Sequence, residues 1–232
     1  MNTVPDVWRQ PFPDDEIPFI LAGILRCMAT VKKQSPNEHE NLLTTRLWKQ
    51  LRRDAELNVR PTHLDTEVWE INEENADGKI GRLDLRFIYS TGTIKPWPCF
   101  AIEAKRLHVT FPNAGWQSLI SEYVTSDTSR PVEDEQGMMC FVSGRYSRGL
   151  RAGAMLGYVF DGNVEAARVS IAAAIQRHEK KLKLASARWA PDASVIPGIS
   201  GISESQHDFG KGALIENQFR NIFTIFHLLV PV

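Results

Sequence analysis

Residues 81–87 read Gly-Arg-Leu-Asp-Leu-Arg-Phe, and residues 100–107 read Phe-Ala-Ile-Glu-Ala-Lys-Arg-Leu. Apolar and polar residues alternate through both stretches, which predicts two β-strands. Because side chains two positions apart share a face of a strand, Glu103 and Lys105 are expected to stand side by side. If the two strands are neighbours, Asp84 joins them. Two carboxylates beside an ammonium group suit a divalent cation and a water molecule that attacks a phosphodiester.

The elements around these strands predict an α/β fold. Hairpins followed by a helical crossover imply a mixed central sheet flanked by helices. Residues 190–213 are expected to be a loop, and the apolar end of the chain is expected to be a strand after about residue 221. Turn signals lie at 75–78 and 90–93. The predicted helices are 13–34, 38–57, about 114–127 and 163–183, and the predicted strands are 62–72, 79–90, 98–107 and 138–143, with a further apolar segment at 154–160.

The helix predicted over 38–57 carries a third acidic residue. Asn37 can cap this helix and Glu40 then resembles the acid of a capping box. Glu40 also lies one turn before the apolar stripe of the helix, so it is on the face that turns toward the core. It is therefore either a capping carboxylate or part of the same site as Asp84. Glu38 is a competitor, although it lines up less well with the stripe, which comprises Leu43, Leu47 and Leu51.

Asp84 followed by Glu103-Ala104-Lys105 resembles the motif of the PD-(D/E)XK nucleases, the restriction-endonuclease-like superfamily, although Leu83 stands where the motif has proline. The resemblance covers about residues 37–160 by the order of elements. It implies one nuclease domain over 1–232 with a restriction-endonuclease-like core, and residues 161–232 complete or cover that core.

The resemblance also assigns roles to single residues. Asp84, Glu103 and the backbone carbonyl of Ala104 are expected to bind Mg²⁺ or Mn²⁺. Lys105 is expected to orient the attacking water or to stabilise negative charge on the phosphate. Glu40 matches the glutamate of the family's first helix, which supports the metal site. The alternative for Asp84 and Glu103 is that they are solvent-facing acids on amphipathic strands.

Two further groups are candidates for contacts with substrate. Gln117 and Tyr123 resemble a glutamine and a tyrosine of RecB-like nucleases, although their spacing here is six rather than four; Gln117 is either near the site or a partly buried polar residue. The basic stretch that contains Arg145, Arg148 and Arg151 is expected to contact phosphates, or else it is a solvated loop.

Composition constrains the partners and the cellular setting. The chain has 232 residues, 27 basic and 28 acidic, with a net charge of −1. A free-standing DNA binder normally carries a basic excess, so a protein partner or a homodimer is expected to supply target recognition. The three widely spaced cysteines favour a reducing cytoplasm, and no secretory signal or membrane-spanning stretch is evident. His207 and His227 could meet in space, but no histidine spacing resembles a zinc site.

The sequence therefore predicts a metal-dependent DNA nuclease, in the setting of prokaryotic antiviral defence or DNA processing. The first alternative is a catalytically silent nuclease-fold subunit that serves as a scaffold in a larger complex, which the near-zero net charge favours. The second is a metal-dependent enzyme that acts on RNA.

Overall fold

The computed structural model describes residues 12–71, 79–90, 98–107, 119–125, 136–143, 146, 150–185, 189, 196–208 and 222–232. For 67–71 and 79–83 the backbone alone is described. Among the described residues no helix is both long and apolar enough to cross a membrane.

A six-stranded mixed sheet forms the centre of the molecule, in the order β1-β2-β3-β4-β6-β5. The first three strands pair antiparallel, β3, β4 and β6 run parallel, and β5 is antiparallel to β6. The α/β class, the mixed sheet and the antiparallel order of the first three strands are as the sequence predicts. The strands are β1 Thr62–Ile71, β2 Lys79–Tyr89, β3 Cys99–Leu107, β4 Ala152–Val159, β5 Ile202–Asp208 and β6 Ile222–Pro231.

Helices cover both faces of this sheet, and each face has its own apolar core. On one face, helix α2 buries Leu43, Leu47 and Leu51 completely or almost completely, as the helical spacing of these residues predicts. Each of these leucines contributes about 1.5–3 kcal/mol by leaving water. The helices on this face are α1 Ile17–Met28, α2 Glu40–Leu51 and α3 Ala55–Asn58, and those on the other face are α4 Ile120–Val124, α5 Met138–Val142 and α6 Val164–Arg177.

The strand predicted over 138–143 is wrong, because the segment Met138–Val142 is the helix α5. All five of its side chains are buried. Its sequence therefore shows no polar face that would distinguish the period of a helix from that of a strand. Gly137 precedes the helix with φ +62°, a left-handed conformation that glycine adopts without strain. The tertiary environment therefore decided between helix and strand here.

The helix predicted over 38–57 is two helices, and its predicted cap is wrong. Helix α2 begins at Glu40 after the N-cap residue His39, and no side chain caps it. The carboxylate of Asp54 accepts hydrogen bonds from the backbone N–H groups of Glu56 and Leu57, and this cap starts the separate helix α3. Glu40 is therefore released from the capping role that the sequence suggested.

The loop predicted over 190–213 is also wrong in part, because it contains the edge strand β5. Its inward-facing residues Ser203, Ser205 and His207 are polar but buried, so the strand lacks the apolar alternation that sequence patterns detect. The predicted strand after about 221 is confirmed as β6. The predicted turns at 75–78 and 90–93, and the start of the helix predicted from 114, fall almost wholly outside the described residues.

Candidate active site

The candidate site lies where β2 and β3 stop pairing. Their register runs from Ile88–Cys99 to Leu85–Ile102. Beyond that point two carboxylates accept the hydrogen bonds of the β3 edge. The Ala104 N–H donates to Asp84 Oδ2 at 2.7 Å, and the Arg106 N–H donates to Glu40 Oε2 at 2.8 Å. Because backbone N–H groups in a protein interior require acceptors, these two acids act as substitutes for a neighbouring strand. They thereby bring β2 and the start of α2 to one short segment of β3.

Lys105 connects the carboxylates of this segment. Its Nζ lies 2.7 Å from Glu103 Oε1 and 3.6 Å from Glu40 Oε1. Asp84, Glu103 and Lys105 are each buried, so they are not the solvent-facing residues of the alternative interpretation. The structure thus brings together four of the predicted site residues from three different elements. We call Glu40, Asp84, Glu103 and Lys105 the carboxylate–lysine cluster.

The cluster holds three carboxylates against one ammonium group. Burial and the charge of Glu103 raise the pKa of Asp84 well above its usual value, and Lys105 and the Ala104 N–H offset this only in part. Burial acts to lower the pKa of Lys105, but the charges of Glu103, Glu40 and Asp84 outweigh it and raise that pKa. Lys105 is therefore held as an ammonium ion in an environment with surplus negative charge.

Glu38 is excluded from the cluster by a different set of contacts. Its carboxylate accepts hydrogen bonds from two guanidinium nitrogens of Arg46 and from the Gln34 N–H, which lowers its pKa. Arg106 turns to the opposite face of β3 from Lys105, where its guanidinium donates to the Glu38 carbonyl. Glu40, and not Glu38, is thus the acid of the α2 segment that reaches the cluster.

Two further residues lie close to the cluster and were not predicted from the sequence. Tyr158 of β4 is fully buried, and its hydroxyl lies 3.0 Å from Thr44 Oγ1 of α2. Thr44 is one helical turn after Glu40, so this hydrogen bond ties α2 to the sheet close to the point where Glu40 contacts β3. The i+4 spacing of Glu40 and Thr44 was the available signal, but nothing in the sequence pointed to Tyr158 as the partner.

Among the other predicted site residues, only Arg151 can be placed relative to the cluster. Gln117, Arg145 and Arg148 lie outside the described residues. Arg151 is exposed and directly precedes β4, whereas Met155 is the β4 residue in register with Glu103. Arg151 precedes that level by four residue steps, or about 13 Å. The structure therefore places Arg151 just before the start of β4, whereas the cluster is level with the middle of this strand.

The donor set is chemically suited to Mg²⁺ or Mn²⁺, since carboxylate oxygens are hard ligands. However, no group of three or more His, Cys, Asp or Glu side chains in the described part of the chain is arranged as a metal site. Asp84 and Glu40 each direct one oxygen to a backbone N–H, and Glu103 directs one to Lys105. A cation would have to compete with these hydrogen bonds.

A surface pocket of about 220 Å³ lies away from the cluster, between the end of α2, α3 and the start of β1. None of the carboxylate–lysine cluster lines it, and its walls hold no acidic side chain. Charge and convergence of side chains, rather than depth, therefore mark the candidate site.

Comparisons with known proteins give no relative to guide the assignment. No family model matches the chain, and neither the curated proteins nor the solved structures contain a match.

Proposed function

We propose that the protein is a metal-dependent nuclease with a restriction-endonuclease-like core that hydrolyses phosphodiester bonds in DNA. The observation that supports this proposal is the carboxylate–lysine cluster, in which α2, β2 and β3 each supply an acid around one buried ammonium group. A purely structural ion pair needs one carboxylate per ammonium. The two surplus acids are what a divalent cation would neutralise.

Asp84, Glu103, Glu40 and the Ala104 carbonyl are the groups that would hold Mg²⁺ or Mn²⁺. When bound, such a cation supplies Lewis acidity toward a phosphate oxygen and lowers the pKa of a coordinated water molecule. Glu103 and Glu40 keep Lys105 in its charged form. Lys105 is then suited to stabilise negative charge that develops on the phosphate, because it is preorganised and shielded from solvent.

The setting belongs to the same proposal. With a net charge of −1 the chain has little general attraction for DNA, so a protein partner or a homodimer supplies target recognition. Its place is the cytoplasm of a prokaryotic cell, in antiviral defence or DNA processing.

The test is cleavage of supercoiled plasmid, linear duplex and single-stranded DNA, with RNA alongside, in Mg²⁺, Mn²⁺ or EDTA. Asp84→Asn and Glu103→Gln are expected to lose at least about 100-fold in rate, the scale seen when one preorganised active-site group is removed. Glu165→Gln is a matched control on the exposed first turn of α6 and should leave the rate unchanged. Cleavage that persists in EDTA, or in both site variants, would contradict the proposal.

A second candidate function is a non-catalytic nuclease-fold subunit. It is favoured by one observation, namely that each acid of the cluster already contacts a hydrogen-bond donor of the protein. Calorimetric titration with Mn²⁺ separates the two. Binding that is lost in Asp84→Asn supports the nuclease, whereas absence of both binding and cleavage supports the scaffold.

A further inference from the structure

A second polar group is buried on the α4–α6 face of the sheet. Tyr123 Oη lies 3.0 Å from His227 Nδ1, and His227 Nε2 lies 2.8 Å from Ser205 Oγ. Ser205 Oγ is also 2.8 Å from His207 Nε2, and His207 Nδ1 is 2.6 Å from the Leu182 carbonyl oxygen. The four side chains are at most 1% exposed. These contacts join α4, β6, β5 and the segment after α6 in one chain, which we call the histidine relay. The Tyr123 hydroxyl at its end also lies 3.4 Å from the Met155 carbonyl oxygen.

The direction of every hydrogen bond in the relay follows from its end. A carbonyl oxygen can only accept, so His207 carries its proton on Nδ1 and its Nε2 accepts from the Ser205 hydroxyl. Ser205 has then used its single proton and accepts from His227 Nε2–H. The remaining nitrogen, His227 Nδ1, accepts from the Tyr123 hydroxyl, because its 3.0 Å distance is shorter than the 3.4 Å from this hydroxyl to the Met155 carbonyl oxygen. This pattern holds with both imidazole rings neutral, which is the form that their burial favours.

The relay lies on the same face of the sheet as Glu103 and Lys105, with β4 between β3 and β6, whereas Glu40 reaches the cluster from α2 on the other face. Glu103 is in register with Met155, and Met155 is in register with His227. Gly157 is in register with Lys105, and a Cβ at Gly157 would lie 3.3 Å from Tyr123 Cε2. Tyr123 therefore packs one strand away from the two residues of the central ion pair.

We infer that Tyr123, Ser205, His207 and His227 are positioning residues: the relay braces α4 and the segment after α6 against β5 and β6, on the face of the sheet that carries Glu103 and Lys105, and it requires both imidazoles to be neutral. The brace itself is independent of the proposed nuclease function. Its effect on metal binding rests on that function.

The surroundings of the two rings do not offer a counter-charge among the described residues. His227 faces Tyr123, Met155 and Trp189, whose ring centroid lies 4.5 Å away. His207 pairs with Phe223 of β6 in register. Asp208, which follows His207, and Lys183, whose carbonyl accepts from the Asp208 N–H, are both exposed. Glu204 is on the other face of β5.

This environment makes the brace sensitive to acid. Burial lowers the pKa of His207 to about 4, and burial together with the charge of a protonated His207 lowers the pKa of His227 well below its usual value. The unfolded chain takes up these protons near pH 6.5 and the folded chain does so only at lower pH. The contribution of the relay to stability is thus complete above about pH 6.5 and is lost as the pH falls toward 4.

The first experiment is ¹⁵N NMR of the histidine side chains at pH 7.5. His207 is expected as the Nδ1–H tautomer and His227 as the Nε2–H tautomer. The opposite tautomer at either ring, or an imidazolium ion, would overturn the assignment of the relay.

The second experiment measures unfolding by urea between pH 4.5 and 7.5. Below about pH 6.5, each neutral histidine makes the unfolding equilibrium constant rise up to tenfold per unit of falling pH. In His207→Gln, the rise of the unfolding equilibrium constant per pH unit is expected to be smaller than in wild type by the contribution of one histidine. His39→Gln, at an exposed position, leaves the pH slope unchanged. Equal slopes in wild type and His207→Gln would overturn the acid sensitivity.

The third experiment concerns the site and uses Tyr123→Phe, which keeps the ring and removes only the hydroxyl at the end of the relay. Mn²⁺ affinity at pH 7.5 is expected to fall several-fold, and Tyr89→Phe on the other face of the sheet should leave it unchanged. An unchanged affinity in Tyr123→Phe would refute the positioning role. If wild type binds no Mn²⁺, the nuclease proposal fails, and the tautomers and pH slopes still decide whether the relay exists.

Discussion

Replacement of Lys105 by methionine tests whether the central ion pair is buried as the structure shows. The side chain of Lys105 is 10% exposed and that of Glu103 is 6% exposed, at an Nζ–Oε1 distance of 2.7 Å. Removing one partner of a buried pair costs about 3–5 kcal/mol, because the other charge stays behind without compensation. The contact with Glu40, at 3.6 Å and 29% exposed, adds less than about 1 kcal/mol. We therefore expect Lys105→Met to lower the free energy of unfolding by about 3–5 kcal/mol.

The assay is urea unfolding at pH 7.5 of wild type, Lys105→Met, Glu103→Gln and the double variant. The double variant should be more stable than Lys105→Met, because it no longer leaves the Glu103 carboxylate buried without its cation. The coupling energy of the cycle should reach about 1–3 kcal/mol. Lys181→Met, at an exposed position after α6, is the control and should change stability by no more than about 0.5 kcal/mol.

A loss below about 1 kcal/mol in Lys105→Met would refute the reasoning, since it would equal the value of a solvated surface pair. A coupling energy near zero would do the same, because it would show that the two side chains act independently.

Gly137→Ala should unfold at a temperature many degrees below wild type, because a Cβ there would overlap two backbone carbonyls of α4 as well as force φ +62° on alanine. Gly162→Ala, with φ +73° and open space, is the control for strain alone and should lose only about 1 kcal/mol. Asp54→Ala should cost about 1–2 kcal/mol at pH 7 by loss of the α3 cap. The ion pair with the α1 arginine lowers the pKa of Asp54, so this difference should persist above about pH 4 and fade at lower pH. Tyr158→Phe should cost about 1–3 kcal/mol in urea unfolding, since it removes the partner of the buried Thr44 hydroxyl; a value near zero would show that the hydroxyl is satisfied elsewhere.

Much of the sheet could be predicted because its first strands are amphipathic along their length. The strands predicted over 62–72, 79–90 and 98–107 agree with β1, β2 and β3 to within one or two residues. Strand spacing also placed Glu103 beside Lys105, and helical spacing placed Glu40 on the buried side of α2. These are local consequences of backbone geometry, and they hold whatever the rest of the chain does.

Segments without such alternation were predicted wrongly. Met138–Val142 is apolar throughout, so its sequence fits a helix and a strand equally well. Packing between α4 and the sheet selected the helix. Strand β5 presents serine and histidine to the interior, and only partners from α4, β6 and the segment after α6 make these buried polar groups acceptable.

The sequence by itself determined which faces carry acids and which carry leucines, since side-chain direction follows from the backbone period. It did not determine that β2 and β3 separate after Leu85 and Ile102, or that Asp84 and Glu40 then accept the exposed N–H groups of β3. It also did not determine that Ser205 joins two histidines 20 residues apart. Only the tertiary structure decided these contacts, because a hydrogen bond between distant residues depends on where whole elements come to rest and leaves no periodic signal in the chain.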